Sequence, residues 1–189
     1  MPPDLMRVLA MAGSLRAASI NAAFCRAAAR LAPADLSISV YPGLGDLPLF
    51  NPDREIDPPP SVRHLRQSVR QADALLIASP EYAHGVSGAM KNALDWLVSD
   101  EGFVGKPVAL VNTSPRAHHA YDALRETLLT MSAVIVEGAS RDIALLGACV
   151  TEDAMVNSGE VAESIRHIGE ALRVYLLSPE WPGPSGRTR

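Results

Sequence analysis

Short apolar runs alternate with amphipathic segments along most of this chain, and that alternation limits its possible folds more than any other feature. Apolar residues that recur at helical spacing predict helices, and short continuous or alternating apolar runs predict strands. The predicted strands are residues 5–12, 36–41, 74–78, 108–112 and 133–136, and the predicted helices are residues 20–31, 61–72, 87–98, 120–131 and a last one within 152–177 that starts near Ser158. Strands that alternate with helices in this way predict an α/β protein with a parallel sheet.

The number of strands favours one sheet order. Five parallel strands suit the flavodoxin-like order 2-1-3-4-5, a three-layer sandwich with helices on both faces of the sheet. Because this order reverses between strands 1 and 3, a ligand is expected beyond the carboxyl ends of those two strands. The loops that follow them are residues 13–21 (GSLRAASIN) and residues 79–87 (SPEYAHGVS), so the sequence predicts one crevice where the two loops meet. We expect a single domain over residues 1–177 and a mobile tail over residues 178–189.

Composition and charge exclude several classes of protein. The chain has 189 residues, 48% of them hydrophobic and 20% charged, which is typical of one compact folded domain. A net charge of −4 predicts no nucleic-acid partner. No apolar run approaches the length of a membrane span and the first residues lack a signal-peptide pattern, so a cytoplasmic location is expected. The two cysteines, Cys25 and Cys149, lack metal-ligand spacing and are predicted to be buried thiols in a reducing compartment, with no metal site.

The first loop has the composition of an anion site. A helix that begins near Ser19 presents free backbone N–H groups and the positive end of its dipole. Ser14, Ser19 and Asn21 add hydrogen-bond donors, and Arg16 adds a forked positive charge that suits a phosphate monoester. The alternative is that Ser19 only caps the helix and Arg16 is solvated. The GxGxxG and GxxxxGK[ST] patterns and the paired acids of a receiver-type phosphoacceptor site are all absent, which excludes those classes.

The second loop places small residues beside an aromatic one. Pro80 fixes a bend, and the small residues that follow let a flat ring approach the backbone closely. Tyr82 could form an aromatic wall or pack in the core. Glu81 could line the pocket, or it could lie at the surface or cap a helix. His84 could line the pocket or be exposed.

Together, the two loops resemble the signatures of a known family. The first resembles the GSLRxxSxN signature of the NAD(P)H-dependent FMN reductase family, which also includes quinone, azo-dye and chromate reductases. SPEYAHGVSGAMKNALDWL (residues 79–97) is similar to the second signature of that family, PEYNxSxPGxLKNAIDW, and LPLFNPD (residues 47–53) is similar to its LPLYNPD stretch. The resemblance covers residues 5–147, with a weaker match over the last helix.

The resemblance implies a flavodoxin-like fold, a tightly but non-covalently bound FMN, and NADPH or NADH as the reductant. It implies that the first loop holds the FMN phosphate, that the second lies along the isoalloxazine, and that Ser114 lies on the other side of the flavin. The cofactor-binding residues that it implies are Ser14, Arg16, Ser19, Ile20, Asn21, Pro80, Glu81, Tyr82, Ala83, His84, Gly85 and Ser114. It also implies a homodimer or homotetramer with the flavin near a subunit interface, to which residues 47–53 contribute.

This chain departs from the family pattern in the second loop and after strand 4. Ala83 and Gly85 replace the usual Asn and Ser, so contacts to the flavin there are expected from the backbone. Ser87 replaces a proline at the helix start, where serine is a good N-cap. The segment after strand 4 lacks the glycine-rich turn of many relatives. It contains two adjacent histidines, whose side chains are expected to point in different directions, so a metal site there is a weaker interpretation than a role without metal. The residues expected to shape the nicotinamide or acceptor site are Arg116, His118 and His119.

The implied reaction is carried by the cofactor, so no catalytic side chain is assigned. NAD(P)H would pass a hydride to N5 of the flavin, and a quinone, a free flavin or a similar small acceptor would take the electrons at the same face, by a ping-pong route. The alternative function is a flavodoxin-type electron carrier that binds FMN without oxidising NAD(P)H itself. Such carriers tend to be strongly acidic, and a net charge of −4 is mild for this length.

Overall fold

Strands and helices alternate through the part of the chain that the computed structural model describes, which is residues 5–114, 118–145, 147, 149–181 and 183. The strands are β1 (Met6–Ala12), β2 (Leu36–Val40), β3 (Ala74–Ala78), β4 (Glu81–Tyr82), β5 (Gly85–Val86), β6 (Pro107–Asn112), β7 (Val134–Ile135) and β8 (Arg141–Asp142). The helices are α1 (Ile20–Leu31), α2 (Pro60–Gln71), α3 (Gly88–Leu97), α4 (His118–Thr130), α5 (Glu152–Asn157) and α6 (Gly159–Leu177).

The main sheet has the predicted parallel order. Its strands lie in the order β2-β1-β3-β6-β7, where β6 and β7 correspond to the fourth and fifth predicted strands. β1 pairs with β2 on one side and β3 on the other, with Ala12 opposite Ala78 at the carboxyl ends. The flavodoxin-like sandwich is therefore confirmed, and the order reverses between β1 and β3. β4 and β5 form a separate antiparallel hairpin inside the second loop, which the sequence did not predict.

The fifth strand is interrupted, which differs from the predicted continuous strand over residues 133–136. β7 pairs only with the first two residues of β6, and β8 pairs with its last two. A 3₁₀ turn, Glu137–Ala139, separates β7 from β8. Between the two pairings, the N–H of Leu110 donates to the Ser140 hydroxyl at 3.0 Å. A side chain thus satisfies a buried backbone donor where the ladder is broken.

Two apolar cores lie on the two faces of the sheet. One contains the buried sides of α1, α5 and α6, and the other contains those of α2, α3 and α4. In α2, Val62, Leu65 and Val69 recur at helical spacing and are fully buried, whereas Arg63 and Arg70 are exposed. Each such buried side chain contributes about 1.5–3 kcal/mol of transfer free energy. None of the described helices is both long and apolar enough to cross a bilayer.

The C-terminal third differs from the prediction in two details. The short helix α5 was not predicted, although Thr151 caps it by accepting the N–H of Ala154 at 3.2 Å. Cys25 is buried as predicted, but Cys149 is only partly buried, so the prediction for that thiol was wrong. The predicted mobile tail lies outside the described residues except for residues 178–181 and 183. The single domain stays a prediction.

Residues 47–53 are fixed to α3 by two side chains one helical turn apart. Asn92 accepts the N–H of Phe50 at 2.8 Å and donates to the Pro48 carbonyl at 3.0 Å. Trp96 donates its indole N–H to the same carbonyl at 2.8 Å, and its ring meets the Phe50 ring edge-on at 5.1 Å. The Asn and Trp of the second motif therefore hold this irregular segment in place, and they leave Leu49 83% exposed.

Candidate functional site

A crevice of about 500 Å³ opens at the carboxyl ends of β1 and β3, where the reversal of strand order predicts a ligand. Predicted site residues that line it are Ser14, Arg16, Ser19, Ile20, Asn21, Pro80, Glu81, Tyr82 and Ser114. The lining comes from both loops and from the end of β6, so segments far apart in the sequence meet at one place. Its volume lies within the range of about 300–1,000 Å³ that is typical of small-molecule and cofactor sites.

The two loops touch at Gly13. The N–H of Gly13 donates to the Ala78 carbonyl at 2.8 Å, and its own carbonyl accepts from the buried Ser87 hydroxyl. Ser87 also caps α3 by accepting the N–H of Met90. A Cβ at residue 13 would lie 2.3 Å from Ser79 Oγ, so only glycine fits without a shift of the neighbouring loop. This contact sets the spacing between the two sides of the crevice.

The first turn of α1 forms the most polar end of the crevice. Ser19 is the N-cap, and its Oγ accepts the N–H of Ala22 at 3.1 Å, as the capping alternative predicted. That bond uses an oxygen lone pair, so the hydroxyl hydrogen of Ser19 stays available to a ligand. The N–H groups of Ile20 and Asn21 belong to the first helical turn, which lacks intrahelical acceptors. Arg16 is exposed, and no carboxylate among the described residues forms an ion pair with it.

Asn21 has a buried partner that the sequence did not indicate. Its Oδ1 accepts the hydroxyl of Thr113 at 2.8 Å, and both side chains are more than nine-tenths buried. The bond joins the first turn of α1 to the end of β6. The side-chain oxygen of Asn21, a residue predicted to bind the FMN phosphate, therefore already accepts a hydrogen bond within the protein. Thr113 also lines the crevice. Its position just after a predicted strand, beside Ser114, was the one signal that marked it.

Glu81 and Tyr82 resolve two alternatives that the sequence left open. The Glu81 carboxylate accepts the N–H of Ala120 at 2.9 Å, so it caps α4 while it lines the crevice. Tyr82 is 52% exposed, which excludes core packing, and its hydroxyl lies 3.5 Å from Ser14 Oγ. The aromatic ring therefore stands between the second loop and the first, at the edge of the crevice.

The predicted site residues Ala83, His84 and Gly85 do not line the crevice. They form the end of the β4–β5 hairpin, where Ala83 and His84 have positive φ angles of 49° and 59°. Two consecutive left-handed residues are typical of the tight turns that join twisted strands. Both residues are exposed, and the His84 ring stacks on the His119 ring with centroids 4.4 Å apart and planes at 15°. The segment expected to contact the flavin through its backbone thus faces α4.

Other lining residues carried little signal in the sequence. Leu145 and Val150, from the segment after β8, close one side of the crevice, and Ala18 and Ser79 complete the two loops. The apolar residues lie far from both motifs, and only the folded chain brings them there. Arg116, which was expected to shape the acceptor site, lies outside the described residues. Within the described part of the chain, no group of three or more His, Cys, Asp or Glu side chains is placed to hold a metal ion.

The donor set of the crevice fits a flat ligand that carries a phosphate. A guanidinium, two serine hydroxyls and the amides of a helix N-terminus converge at one end, which suits a dianion. A proline bend, an exposed tyrosine ring and two aliphatic side chains line the rest, which suits an apolar ring system. These are the two parts of FMN.

The chain is similar to reductases of known sequence and structure. The model of the family described as NADPH-dependent FMN reductase matches residues 6–144. A quinone reductase from Escherichia coli strain K12 is 38% identical over 115 residues, which cover 59% of this chain and 61% of that protein. An NAD(P)H-dependent FMN reductase from Pseudomonas aeruginosa is 40% identical over 114 residues, which cover 59% of this chain and 61% of that protein. The chain thus spans about three fifths of the length of these curated relatives.

One solved structure extends the similarity over the whole chain. FerB, a flavoenzyme NAD(P)H:(acceptor) oxidoreductase from Paracoccus denitrificans, is 28% identical, with a TM-score of 0.76. The match covers 94% of this chain and 99% of that one.

Proposed function

The chain belongs to the NADPH-dependent FMN reductase family, and from that premise we propose that it is an FMN-containing oxidoreductase that takes electrons from NADPH or NADH and reduces a small acceptor. Candidate acceptors are a quinone, a free flavin or a compound of similar shape. The observation that carries the proposal is the crevice itself, because it joins an anion-binding helix terminus to a space for an apolar ring.

One end of the crevice supplies the groups that would hold the FMN phosphate. Ser14 and Ser19 offer hydroxyl hydrogens, and the first-turn amides of Ile20 and Asn21 offer two more donors. Arg16 offers a guanidinium that no described carboxylate neutralises. A dianionic phosphate is stabilised by such a forked charge and by the positive end of a helix dipole.

The other end supplies the walls for the ring system. Pro80 and Tyr82 lie on the side of the second loop, and Ser114 lies at the end of β6. When bound there, FMN supplies the two-electron chemistry, so these residues only have to hold and orient it. One oxygen of the Glu81 carboxylate accepts a helix N–H, which holds this side chain in place beside the crevice. No side chain is therefore assigned as an acid, a base or a nucleophile.

The crevice is open to solvent, and this favours a ping-pong route, in which reductant and acceptor use the same opening in turn. We also propose the homo-oligomer that the resemblance implies. Two apolar side chains support it, because Leu49 is 83% exposed and Ile56 is 99% exposed on the segment between β2 and α2. Contact with another chain would remove the apolar surface of these two side chains from water.

The proposal is tested by the colour of the protein and its response to a reductant. Protein loaded with FMN should absorb near ~450 nm and should bleach under anaerobic conditions when NADPH or NADH is added without a partner enzyme. A flavodoxin-type carrier would bind FMN and stay yellow. Protein that stays colourless after incubation with FMN would overturn the proposal. Parallel double-reciprocal lines support the ping-pong route, and intersecting lines contradict it.

The phosphate site is tested by a double variant. The double variant Ser14→Ala/Arg16→Ala should fold normally and lose most of its FMN. It lacks one hydroxyl donor and the guanidinium of Arg16, which is the only cationic side chain among the described residues that line the crevice. Arg166→Ala on α6, far from the crevice, is the matched control and should keep its FMN. Full FMN retention by the double variant would mean that the first loop is an ordinary helix cap.

A further inference from the structure

The stacked rings of His84 and His119 form a titratable pair that the proposed reaction does not use. His84 occupies the turn of the β4–β5 hairpin, and His119 lies in the first turn of α4. Their ring centroids are 4.4 Å apart, and both residues are exposed. On the same hairpin, Glu81 and Tyr82 line the crevice, and Glu81 accepts the N–H of Ala120, the residue that follows His119.

We propose that this imidazole pair binds an oxyanion carried by a ligand that enters the crevice. The inference rests on the proposed reductase function and specifies the chemistry of its substrates. The oxyanion is either a phosphate of the dinucleotide or a carboxylate, sulfonate or phosphate of an acceptor.

Parallel rings suit an oxyanion better than a metal ion. The planes differ by 15°, and the N–H bonds and lone pairs of an imidazole lie in the ring plane. Two nearly parallel sets of lone pairs do not converge on one cation. An oxyanion with several oxygens can instead accept from two donors that lie side by side.

The charges around the pair make its affinity depend on pH. On the hairpin, the titratable groups are Tyr82 and the Glu81 carboxylate, which accepts the N–H of Ala120. On α4, the neighbouring titratable groups are His118 and Asp122. Two imidazolium rings so close repel one another, and a bound anion offsets that repulsion. Imidazoles titrate between about pH 5 and 8, so affinity for anions should rise as the pH falls through that range.

The first test measures binding without turnover. Sodium sulfate, whose charge is the same at both pH values, is titrated into the FMN-loaded protein at pH 6 and pH 8 while the histidine ring signals are followed by NMR. The signals of His84 and His119 should shift, and the affinity should be higher at pH 6 by about fivefold, the upper value of an exposed ion pair. His84→Gln should abolish the pH effect, and His167→Gln on an exposed face of α6 is the matched control. Equal affinity at both pH values, or unchanged binding in His84→Gln, would overturn the proposal.

The second test identifies the source of the anion. The ratio of kcat/KM for a sulfonated naphthoquinone to that for an uncharged naphthoquinone is measured at both pH values. If the acceptor carries the anion, this ratio should rise at pH 6 in the wild type and stay flat in His84→Gln. If the dinucleotide carries it, His84→Gln should instead raise the KM for NADPH and NADH with either quinone. If neither quantity changes in His84→Gln, the proposal is wrong although the reductase function stands. If NAD(P)H does not bleach the protein while sulfate binding is intact, only the reductase function is refuted.

Discussion

Replacing Gly13 with alanine adds one methyl group at the point where the two crevice loops touch. The new Cβ would lie 2.3 Å from Ser79 Oγ, 2.8 Å from Ser79 Cβ and 2.9 Å from Ser87 Oγ. A rotation of Ser79 moves its hydroxyl away but leaves its Cβ in place, so the backbone of the second loop has to shift. Ser87 cannot retreat freely, because its hydroxyl donates to the Gly13 carbonyl and caps α3.

The cost of this change follows from the contacts. Overpacking of a close contact costs about 1–3 kcal/mol, and the loss of the buried hydrogen bond from Ser87 adds about 1 kcal/mol. In a chain of this size, each kcal/mol lowers Tm by about 2–4 °C. We therefore expect Gly13→Ala to lower the Tm of the FMN-free protein by roughly 10 °C. It should also weaken FMN binding, because the spacing of the loops changes.

The assay is thermal unfolding of the FMN-free protein, followed by an FMN titration monitored by quenching of flavin fluorescence. Gly88→Ala is the matched control, since a Cβ there has no neighbour within 4 Å and the residue begins α3. It should leave Tm unchanged or raise it slightly. The double variant Gly13→Ala with Ser79→Gly removes both Ser79 contacts and should recover at least half of the lost stability. Wild-type Tm in Gly13→Ala, or no recovery in the double variant, would refute the close contact as the reason for glycine.

Three further predictions concern groups away from that contact. Burial raises the pKa of the Cys25 thiol to about 12. Iodoacetamide should therefore label only the partly exposed Cys149 in the native protein and both thiols in urea, and mass spectrometry measures this labelling. Burial also lowers the pKa of Lys106 from 10.5. The unfolded chain therefore binds the Lys106 proton more tightly than the folded chain does, and the free energy of unfolding should rise as the pH rises towards 10.5. In Lys106→Met, urea unfolding should lose that part of the pH dependence; an unchanged slope would contradict it. Thr113→Val leaves Asn21 Oδ1 without its buried donor, which costs about 1–3 kcal/mol of stability. This variant should also bind FMN more weakly, whereas Thr113→Ser keeps the hydroxyl and should not. Equal FMN affinities in the two variants would contradict the role of the hydroxyl.

Several atomic contacts could not be predicted from the motifs. The carboxylate of Glu81 caps a helix that begins 37 residues later, and Asn21 bonds Thr113 across 92 positions. The resemblance places residues 83–85 along the flavin, yet the left-handed turn at Ala83 and His84 directs them towards α4. A pattern specifies which residue types follow one another, and hydrogen bonds between distant segments depend on how the elements pack.

The sequence by itself determined the alternation of strands and helices, the sheet order and the position of the crevice. Those features follow from apolar periodicity, from the handedness of crossovers and from the rule that ligands bind where the strand order reverses, all of which act on local or topological information. Only the tertiary structure decided that the fifth strand is split around Ser140, that the two loops are in contact at Gly13 and that the His84 ring stacks on the His119 ring. Each of these depends on distances between segments that approach only after the two cores have formed, because side-chain packing sets those distances and no short stretch of sequence encodes them.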